Sequence, residues 1–355
     1  MTLQDLRRDI DRIDERLVEL LNERTGIALN IGKLKEKDGQ GVYVPAREKE
    51  VLARVAQLNR GPLKESSLTA IYREIMSAAL VLEKSLKVAY LGPPSTFTHE
   101  AARSRFGASV EYLSCETISD VFDAVEKKMA DYGVVPVENS TEGAVTYTLD
   151  RLVDTTLKIC AELYLPISEC LLSHVSRERI EKVYSHPQVL GQCRQWLQRE
   201  MSGVDVVPVA STARAAEMAA KEKNAAALAS RLAAEIYGLE ILESDVQDMS
   251  GNTTRFLVLG HAYGAPTGED KTSLLFAVQH RAGALYSALE SIKKFGLNMT
   301  KIESRPSRSK AWEYYFFVDL EGHSGDERVK ATLADLTGHC DVLTVLGSYP
   351  RVKSP

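Results

Sequence analysis

The sequence predicts a multidomain chain: an all-α first domain of three helices, then a two-lobed α/β domain, then a ferredoxin-like α+β domain. Three observations support this prediction. Apolar residues recur at intervals of three and four in the first part of the chain, and strands alternate with helices in the middle part. The last part has the order β–α–β–β–α–β. Changes of pattern near Leu86 and Gly268 divide the 355 residues into 1–86, 87–268 and 269–355.

The composition excludes several classes of protein. The 44 basic and 49 acidic side chains give a net charge of -5, which is not the basic footprint of a nucleic-acid-binding protein. Neither an apolar run long enough to cross a membrane nor a signal peptide is found, so we expect a cytoplasmic protein. Five cysteines without a CxxC pair, and histidines without ligand spacing, predict no disulfide framework and no metal site. Without a Walker sequence or a GxGxxG after a strand, no nucleotide and no other cofactor is expected.

The first segment reads as a long helix with an apolar seam that packs on other helices. Arg24 occupies one seam position, where a guanidinium needs an anion; a buried Arg–Glu pair or a side chain reaching solvent are the alternatives. Asp38-Gly39 should end this helix, Pro45 should open a second one, and a third is expected from about Ser67 to Ser85. The seam residues are Leu3, Leu6, Ile10, Ile13, Leu17, Leu20, Ile27, Ile31 and Leu34.

Helix geometry separates the basic residues of this segment. Arg24 and Lys35 lie about 16 Å apart and nearly in phase, so their long side chains could close on one small anion. Arg7 lies about 25 Å from Arg24 and roughly 100° away in phase. If Arg7 contributes to the same site, a second copy of the chain must supply it.

The stretches LRRDIDRIDERLVELLNERTGIALNIGKLK and VYVPAREKEVL resemble the all-helical chorismate mutases. The resemblance implies an intertwined dimer that rearranges chorismate to prephenate and shares site residues across chains. Three positions depart from the family pattern: Ala79 replaces a small hydroxyl residue, Glu83 replaces a frequent Gln, and Val44 replaces an acid found in some members. Since an ionised Glu83 would repel the ether oxygen, we expect a mutase rate that falls as pH rises. The matching site residues are Arg7, Arg24, Lys35, Arg47 and Glu48, and the resemblance gives Glu83 a catalytic position in place of the Gln.

The middle segment alternates strands with helices, and its polar motifs follow strand ends, where α/β proteins bind ligands. Each motif places hydroxyl or amide groups at the start of a helix, which suits helix capping as well as anion binding. Two α/β runs with residues 157–173 between them predict two lobes and a cleft. The motifs are PSTFT from Pro94, PVENS from Pro136, SHPQ from Ser185, STA from Ser211 and NTTRF from Asn252.

As an ordered series, GPPSTFTHEAA, VPVENSTEGAV, YSHPQVLGQC and GNTTRF resemble prephenate dehydratase over about residues 87–262. The resemblance implies a two-lobed fold like that of periplasmic binding proteins, and conversion of prephenate to phenylpyruvate with loss of water and CO2. Thr254 matches the leading catalytic residue, and Arg255 should anchor the side-chain carboxylate. His186 could be an acid, but a helix-capping role is the more frequent one. Substrate-binding roles are implied for Thr96, Thr98, Glu138, Asn139, Ser140, Ser185, Gln192 and Arg255.

A linker is expected at Gly264–Gly268. After it, the motifs GAL from Gly283 and ESRP from Glu303 resemble those of the amino-acid-binding ACT domain. The resemblance implies that L-Phe binds near the start of the domain's first helix, at a subunit interface. The alternative is that Gly283 only begins a helix and Arg305 is a surface charge. The implied ligand-binding residues are Gly283, Ala284, Leu285, Asn298, Glu303, Ser304, Arg305 and Pro306.

The order of the three segments resembles the bifunctional chorismate mutase/prephenate dehydratase family over essentially the whole chain. It implies chorismate and prephenate as substrates, L-Phe as feedback effector, and a homodimer or higher homo-oligomer. Two alternatives stay open at this point. The helical segment could be a dimerisation or regulatory domain without mutase activity, or the two-lobed segment could be a non-catalytic receptor for a small ligand.

Overall fold

A computed structural model of the chain describes residues 1–37, 43–307 and 313–352. The chain forms two compact units. The first consists of Met1–Lys87 and Arg105–Glu111, and the second of Val88–Ser104 and Tyr112–Pro355.

Three helices make up most of the first unit, and α3 packs against both α1 and α2. Pro45 occupies the first turn of α2, where its missing N–H costs nothing. The stop predicted at Asp38-Gly39 lies outside the described residues. The predicted seam of α1 is not covered within one chain, since its nine apolar side chains are 45% to 66% exposed. The helices are α1 (Leu3–Lys37), α2 (Pro45–Leu58) and α3 (Glu65–Glu83).

The second unit begins with a lobe built on a sheet of order β2-β1-β3-β11-β5, with β4 paired to β3. The strand β11 returns from late in the sequence and runs antiparallel between β3 and β5. Its strands are β1 (Lys87–Leu91), β2 (Glu111–Cys115), β3 (Tyr132–Asn139), β4 (Gly143–Ala144), β5 (Lys158–Pro166) and β11 (Thr253–Gly260). Its helices are α4 (Phe97–Phe106), α5 (Ile118–Glu126) and α6 (Thr146–Asp154).

A second lobe is built on a five-stranded sheet of order β10-β6-β9-β7-β8. The alanine-rich strand β9 lies at the centre of this sheet, and all five of its residues are buried. The strands are β6 (Cys170–Ser173), β7 (Lys182–Ser185), β8 (Asp205–Pro208), β9 (Ala225–Ala229) and β10 (Glu240–Glu243). The helices are α7 (Pro187–Gln192), α8 (Arg194–Glu200), α9 (Thr212–Lys221) and α10 (Arg231–Tyr237).

The chain crosses between the two lobes twice, from β5 to β6 and from β10 to β11, and backbone hydrogen bonds join the crossings. The N–H of Ile167 donates to the carbonyl of Asn252 at 2.8 Å, and the N–H of Val246 donates to the carbonyl of Glu169 at 3.0 Å. The two segments therefore form a paired hinge under the cleft.

The C-terminal part has the element order β–α–β–β–α–β and a sheet of order β13-β14-β12-β15. The sequence predicted one open face for this sheet, but the structure covers it: Leu275 and Phe317 on that face share a hydrophobic core with Ile159 of β5. Leu274 and Val318, on the other face, pack with the helices. The elements are β12 (Asp270–Ala277), α11 (Ala284–Lys294), β13 (Met299–Pro306), β14 (Tyr314–Glu321), α12 (Glu327–Thr337) and β15 (Val342–Pro350).

No helix in the described ranges is long and apolar enough to cross a membrane. Within the same ranges, no group of three or more His, Cys, Asp or Glu side chains could hold a metal ion. None of the five cysteines, which all lie in the described ranges, forms a disulfide.

Candidate active sites

The helical unit encloses a cavity of about 490 Å³ with charged side chains on an apolar wall. Five residues singled out from the sequence lie around it: Arg24, Lys35, Arg47, Glu48 and Glu83. They come from all three helices, so the helix contacts create the site. Arg47 is exposed and donates to Glu50 at 2.7 Å, which leaves it at the rim.

The remaining predicted position, Arg7, is exposed and is not among the lining residues of this cavity. This position agrees with the distance along α1, which keeps Arg7 away from Arg24 within one chain. Ala79 and Val44 line the cavity together with Glu83, so all three departures from the chorismate mutase pattern lie at the site itself.

Sequence reasoning missed two arginines of this cavity. Arg73 lies on the same face of α3 as Glu83, and its Nε is buried without a hydrogen-bond partner among the described residues. Arg105 comes from a segment after the first strand and pairs with Glu48 at 3.2 Å, while its Nε donates to the hydroxyl of Tyr43. The periodicity of α3 could have identified Arg73, whereas the helical pattern contains no sign of Arg105.

Burial raises the pKa of Glu83 above its usual range, while the charge of Lys35 opposes the shift. The Oε2 atom of Glu83 is buried without a hydrogen-bond partner within the described part of the chain. A Cβ atom added to Gly32 of α1 would lie 2.9 Å from Cγ of Glu83. Gly32 therefore leaves room for this side chain against the helix.

A second cavity, of about 520 Å³, lies between the two lobes, and we call it the interlobe cavity. Five predicted residues line it, and the hinge adds Glu169 and Asn252, which sequence reasoning did not single out as site residues. The predicted residues found there are Thr96, Thr98, Asn139, Gln192 and Thr254.

The central polar contact of the interlobe cavity is between Asn139 and Thr254. The Nδ2 of Asn139 donates to Oγ1 of Thr254 at 2.8 Å and to Oδ1 of Asn252 at 2.7 Å. The two residues are direct register partners on β3 and β11. Because Oγ1 of Thr254 accepts this bond, its own proton is available for a ligand in the cavity.

Two predicted substrate-binding residues instead face the other side of the same sheet, which corrects the expectation for them. Arg255 is 5% exposed and bonds Glu162, Asp319 and Tyr349, so it cannot anchor a carboxylate in the interlobe cavity. Glu138 accepts a hydrogen bond from Lys301 at 2.6 Å. The reason is the alternation of side chains along a strand, which sends neighbours of Thr254 and Asn139 to the opposite face.

Two serines of the predicted set have structural roles here. The hydroxyl of Ser185 is buried and donates to the carbonyl of Leu228 at 2.7 Å. Ser140 is exposed, and its hydroxyl accepts from the N–H of Thr253 at 3.0 Å. Neither lines the interlobe cavity. The hydroxyl groups of both residues therefore bond backbone groups outside the cavity.

Capping explains part of the helix-start motifs. Nδ1 of His186 accepts from the N–H of Gln188 at 3.4 Å, as expected for an N-cap, although His186 also lines the cavity. Oγ1 of Thr96 accepts from the N–H of His99 at 3.3 Å and donates to the carbonyl of Leu91 at 2.9 Å. These two side chains order the cavity wall at the starts of α7 and α4.

Glu169 is the most unusual residue of the interlobe cavity. It is 1% exposed, and neither carboxyl oxygen has a hydrogen-bond partner among the residues that the structure describes. Burial, followed by the charge of Glu100, raises the pKa of Glu169 to about 8. Its carboxyl group is therefore largely protonated near neutral pH.

A third cavity, of about 390 Å³, lies at the start of α11. Ala284 and Leu285 line it, and Gly283 caps the helix with a φ of 80°, a conformation that favours glycine. The other predicted ligand-binding residues are not among those lining it in one chain. Arg305 bonds Asp150 at 2.8 Å, and the others on or beside β13 are Asn298, Glu303, Ser304 and Pro306.

Comparison with known proteins adds to this geometry. The family model for chorismate mutase type II matches residues 6–84, and that for prephenate dehydratase matches residues 88–263. The bifunctional chorismate mutase/prephenate dehydratase of Aquifex aeolicus is 52% identical over 98% of both chains. A prephenate dehydratase from Arthrobacter aurescens, solved in complex with L-Phe, is 33% identical with a TM-score of 0.67, over 75% of this chain and 90% of that chain. A structure described as a quorum-quenching acylase, GqqA, is 31% identical with a TM-score of 0.68, over 75% of this chain and 98% of that chain.

Proposed function

The chain belongs to the family of bifunctional chorismate mutase/prephenate dehydratases, and we propose that its two reactions take place in the helical cavity and the interlobe cavity. The first rearranges chorismate to prephenate. The second removes water and CO2 from prephenate to give phenylpyruvate. The observation that carries the assignment is the hydrogen-bonded pair of Thr254 and Asn139 in the wall of a cavity between two lobes.

The mutase reaction needs no nucleophile and no proton transfer, because it is an intramolecular rearrangement. It needs a substrate held in the reactive conformer and cations where negative charge develops. Arg24 and Lys35 supply cations from α1, Arg73 adds another from α3, and Glu48 provides an acceptor for the substrate hydroxyl. A neutral Glu83 donates to the ether oxygen, which an ionised Glu83 would repel.

A second copy of the chain completes the helical site in this proposal. The exposed apolar seam of α1 is the surface that such a copy would cover. Complementation tests this directly: Arg7→Ala and Arg24→Ala variants, each inactive as a mutase, should regain about one quarter of wild-type activity when co-refolded, by statistical pairing in a twofold dimer. No recovery would exclude a shared site.

In the dehydratase reaction, aromatisation of the ring drives the loss of CO2, and the protein assists departure of the ring hydroxyl. Thr254 donates a hydrogen bond to the departing oxygen, while Asn139 fixes the orientation of the threonine hydroxyl. A threonine hydroxyl is a poor acid, so it stabilises the leaving oxygen by a hydrogen bond and does not transfer a proton.

The C-terminal part is proposed to be an ACT domain that binds L-Phe as a feedback inhibitor. The cavity beside Gly283 and Leu285 supports this, because a glycine cap lets a ligand approach the backbone N–H groups at the start of α11. β13 is an edge strand, so its residues can meet the same ligand only from a second subunit or after a rearrangement.

A coupled assay from chorismate to phenylpyruvate, with and without L-Phe, tests the whole proposal. Wild-type protein should convert chorismate fully, and L-Phe should slow the second step. Arg24→Ala should stop chorismate consumption yet leave added prephenate a substrate. Chorismate that is never consumed by wild type would favour a non-catalytic helical domain. Tight prephenate binding without phenylpyruvate would favour a receptor.

A further inference from the structure

The hinge between the lobes holds a buried acid whose position the motifs do not explain. Glu169 lies between β5 and β6, and its backbone is held on both sides. Its N–H donates to Oε1 of Gln247 at 3.0 Å, and its carbonyl accepts from the N–H of Val246 at 3.0 Å. The side chain therefore starts from a fixed point in the wall of the interlobe cavity.

Glu169 is connected to the catalytic strand through the same hinge. The backbone N–H of Ile167, two residues before Glu169, donates to the backbone carbonyl of Asn252 at 2.8 Å. The side chain of Asn252 in turn accepts a hydrogen bond from Asn139, the partner of Thr254. Glu169, Asn252 and Thr254 all line one cavity. A ligand that fills this cavity therefore lies beside both residues, with the carboxyl group of Glu169 buried in the wall behind it.

The carboxyl group of Glu169 lacks the partners that buried polar groups normally have. Both oxygens are buried and unpaired within the described residues, and an unpaired buried polar group costs about 1–3 kcal/mol. A substrate hydroxyl is one group that would pair with it. The protein without substrate carries this free-energy cost. Such unfavourable arrangements are common at functional sites.

The surroundings keep Glu169 neutral. Burial and the nearby acid Glu100 raise its pKa to about 8, and Glu100 has its own pKa raised, chiefly by burial and against the charge of Arg231. The thiols of Cys170 and Cys193 also face Glu169, and burial raises the pKa of both. None of these neighbours supplies a positive charge directly to its carboxyl group.

We propose that Glu169, in its neutral form, donates the proton that converts the departing ring hydroxyl of prephenate into water. The inference rests on the proposed site of the dehydratase reaction. The bond from the ring to the departing carboxylate breaks, and its electron pair enters the ring. The bond from the ring to the hydroxyl oxygen breaks, and that oxygen takes the proton of Glu169. CO2, water, phenylpyruvate and a Glu169 carboxylate result, and solvent returns the proton.

The substitution Glu169→Gln tests this step, because it keeps the shape and hydrogen-bonding capacity but removes the proton. We expect kcat for prephenate to fall by about 100-fold to 1,000-fold with little change in KM. Wild-type kcat/KM should fall as pH rises through about 8, and this decline should be absent in the variant. Glu169→Asp should restore part of kcat together with the decline. A no-enzyme blank at each pH corrects for uncatalysed loss of prephenate.

The matched control is Glu100→Gln, a half-buried acid of α4 that does not line the cavity. It should keep kcat within a few-fold and retain the decline, moved to lower pH because the charge of Glu100 contributes to the raised pKa of Glu169. Chorismate consumption reports an intact helical unit in every variant, and an unchanged KM for prephenate reports an intact second unit. An equal loss of kcat in both Gln variants would overturn the proposal.

Three further results would refute the role of Glu169. They are wild-type-like kcat in Glu169→Gln, a high-pH decline that persists in that variant, and a wild-type kcat/KM that stays flat between about pH 7 and 9. The last result decides the matter even if Glu169→Gln does not fold. A wild type without dehydratase activity would instead refute the proposed function.

Discussion

Thr254 and Arg255 are consecutive residues of β11 that face opposite sides of one sheet. Oγ1 of Thr254 accepts a hydrogen bond from Asn139 at 2.8 Å in the interlobe cavity, whereas NH1 of Arg255 bonds Asp319 of β14 at 2.6 Å. The register partner of Arg255 is Glu138, which holds Lys301 of β13. Two adjacent strands thus carry the cavity on one face and the C-terminal sheet on the other.

Arg255→Ala should destabilise the second unit. The substitution leaves Glu162 and Asp319 buried with a deficit of positive charge, which typically costs about 3–5 kcal/mol. Chemical denaturation followed by the fluorescence of buried Trp196 measures the loss. Arg351→Ala is the control, because its pair with Glu321 is about one third exposed and should contribute at most about 1 kcal/mol. Equal effects would contradict the assignment of Arg255 to a buried ion cluster.

Lys301→Met should weaken inhibition by L-Phe without changing the uninhibited dehydratase rate. Lys301 and Glu138 form a direct link between β13 and the strand that carries Asn139. Allosteric couplings are typically about 1–3 kcal/mol, so the half-inhibiting concentration of L-Phe should rise roughly fivefold or more. L-Phe binding is measured separately by calorimetry. An unchanged inhibition curve would show that coupling takes another route.

Thr254→Ala should lower kcat of the dehydratase with little change in KM. The hydroxyl stabilises the departing oxygen mainly in the transition state, so its loss acts on the rate. Steady-state kinetics with prephenate measures both constants, and mutase activity is the control. Asn139→Ala should add little to Thr254→Ala, because the two residues act through one hydrogen bond. A large rise in KM with constant kcat would contradict this role.

The mutase rate should fall as pH rises through the pKa of Glu83, which burial holds above its usual range. Glu83→Gln should remove this dependence, since an amide donates to the ether oxygen at every pH. Gly32→Ala should lower the mutase rate as well, because the added methyl would contact Glu83. The dehydratase rate should not change in either variant. A pH profile that is flat in wild type and unaltered in Glu83→Gln would oppose this view.

Glu169→Gln should stabilise the second unit, and the gain should grow with pH. The pKa of Glu169 is about 8 in the folded chain and about 4.3 in an unfolded one. The folded state therefore holds its proton more tightly, and wild-type stability falls as pH rises between these values. The amide removes that loss. Thermal unfolding at pH 5, 6.5 and 8 should show a widening difference in Tm, and a constant difference would contradict the shift.

Much of the element order and several of the residues that line the cavities follow from the sequence. Periodicity predicted three helices at the start, and the motifs included Thr254 and Asn139, which lie opposite each other because the start of β11 pairs with the end of β3. Prediction from the sequence failed where the residues of one motif lie on opposite faces of a sheet. Glu138 and Arg255 stand next to true cavity residues, and only strand register decides which neighbour faces the ligand.

Other parts of the sites depend on contacts far apart in the sequence. Glu169 follows no motif, and its burial results from pairing with Val246 and Gln247, nearly eighty residues later. Arg105 joins the helical cavity from beyond the first strand. The covered face of the C-terminal sheet likewise requires β5, so local patterns could not have revealed these relationships.

If a second copy covers the seam of α1, as proposed above, the two activities should depend unequally on protein concentration. An apolar face of this kind is covered by association, and association follows mass action. The interlobe cavity is formed by one chain, so its reaction continues in isolated copies. When the protein is diluted, chorismate turnover per chain should decline before prephenate turnover does. The ratio of the two rates would then report the oligomeric state of the protein.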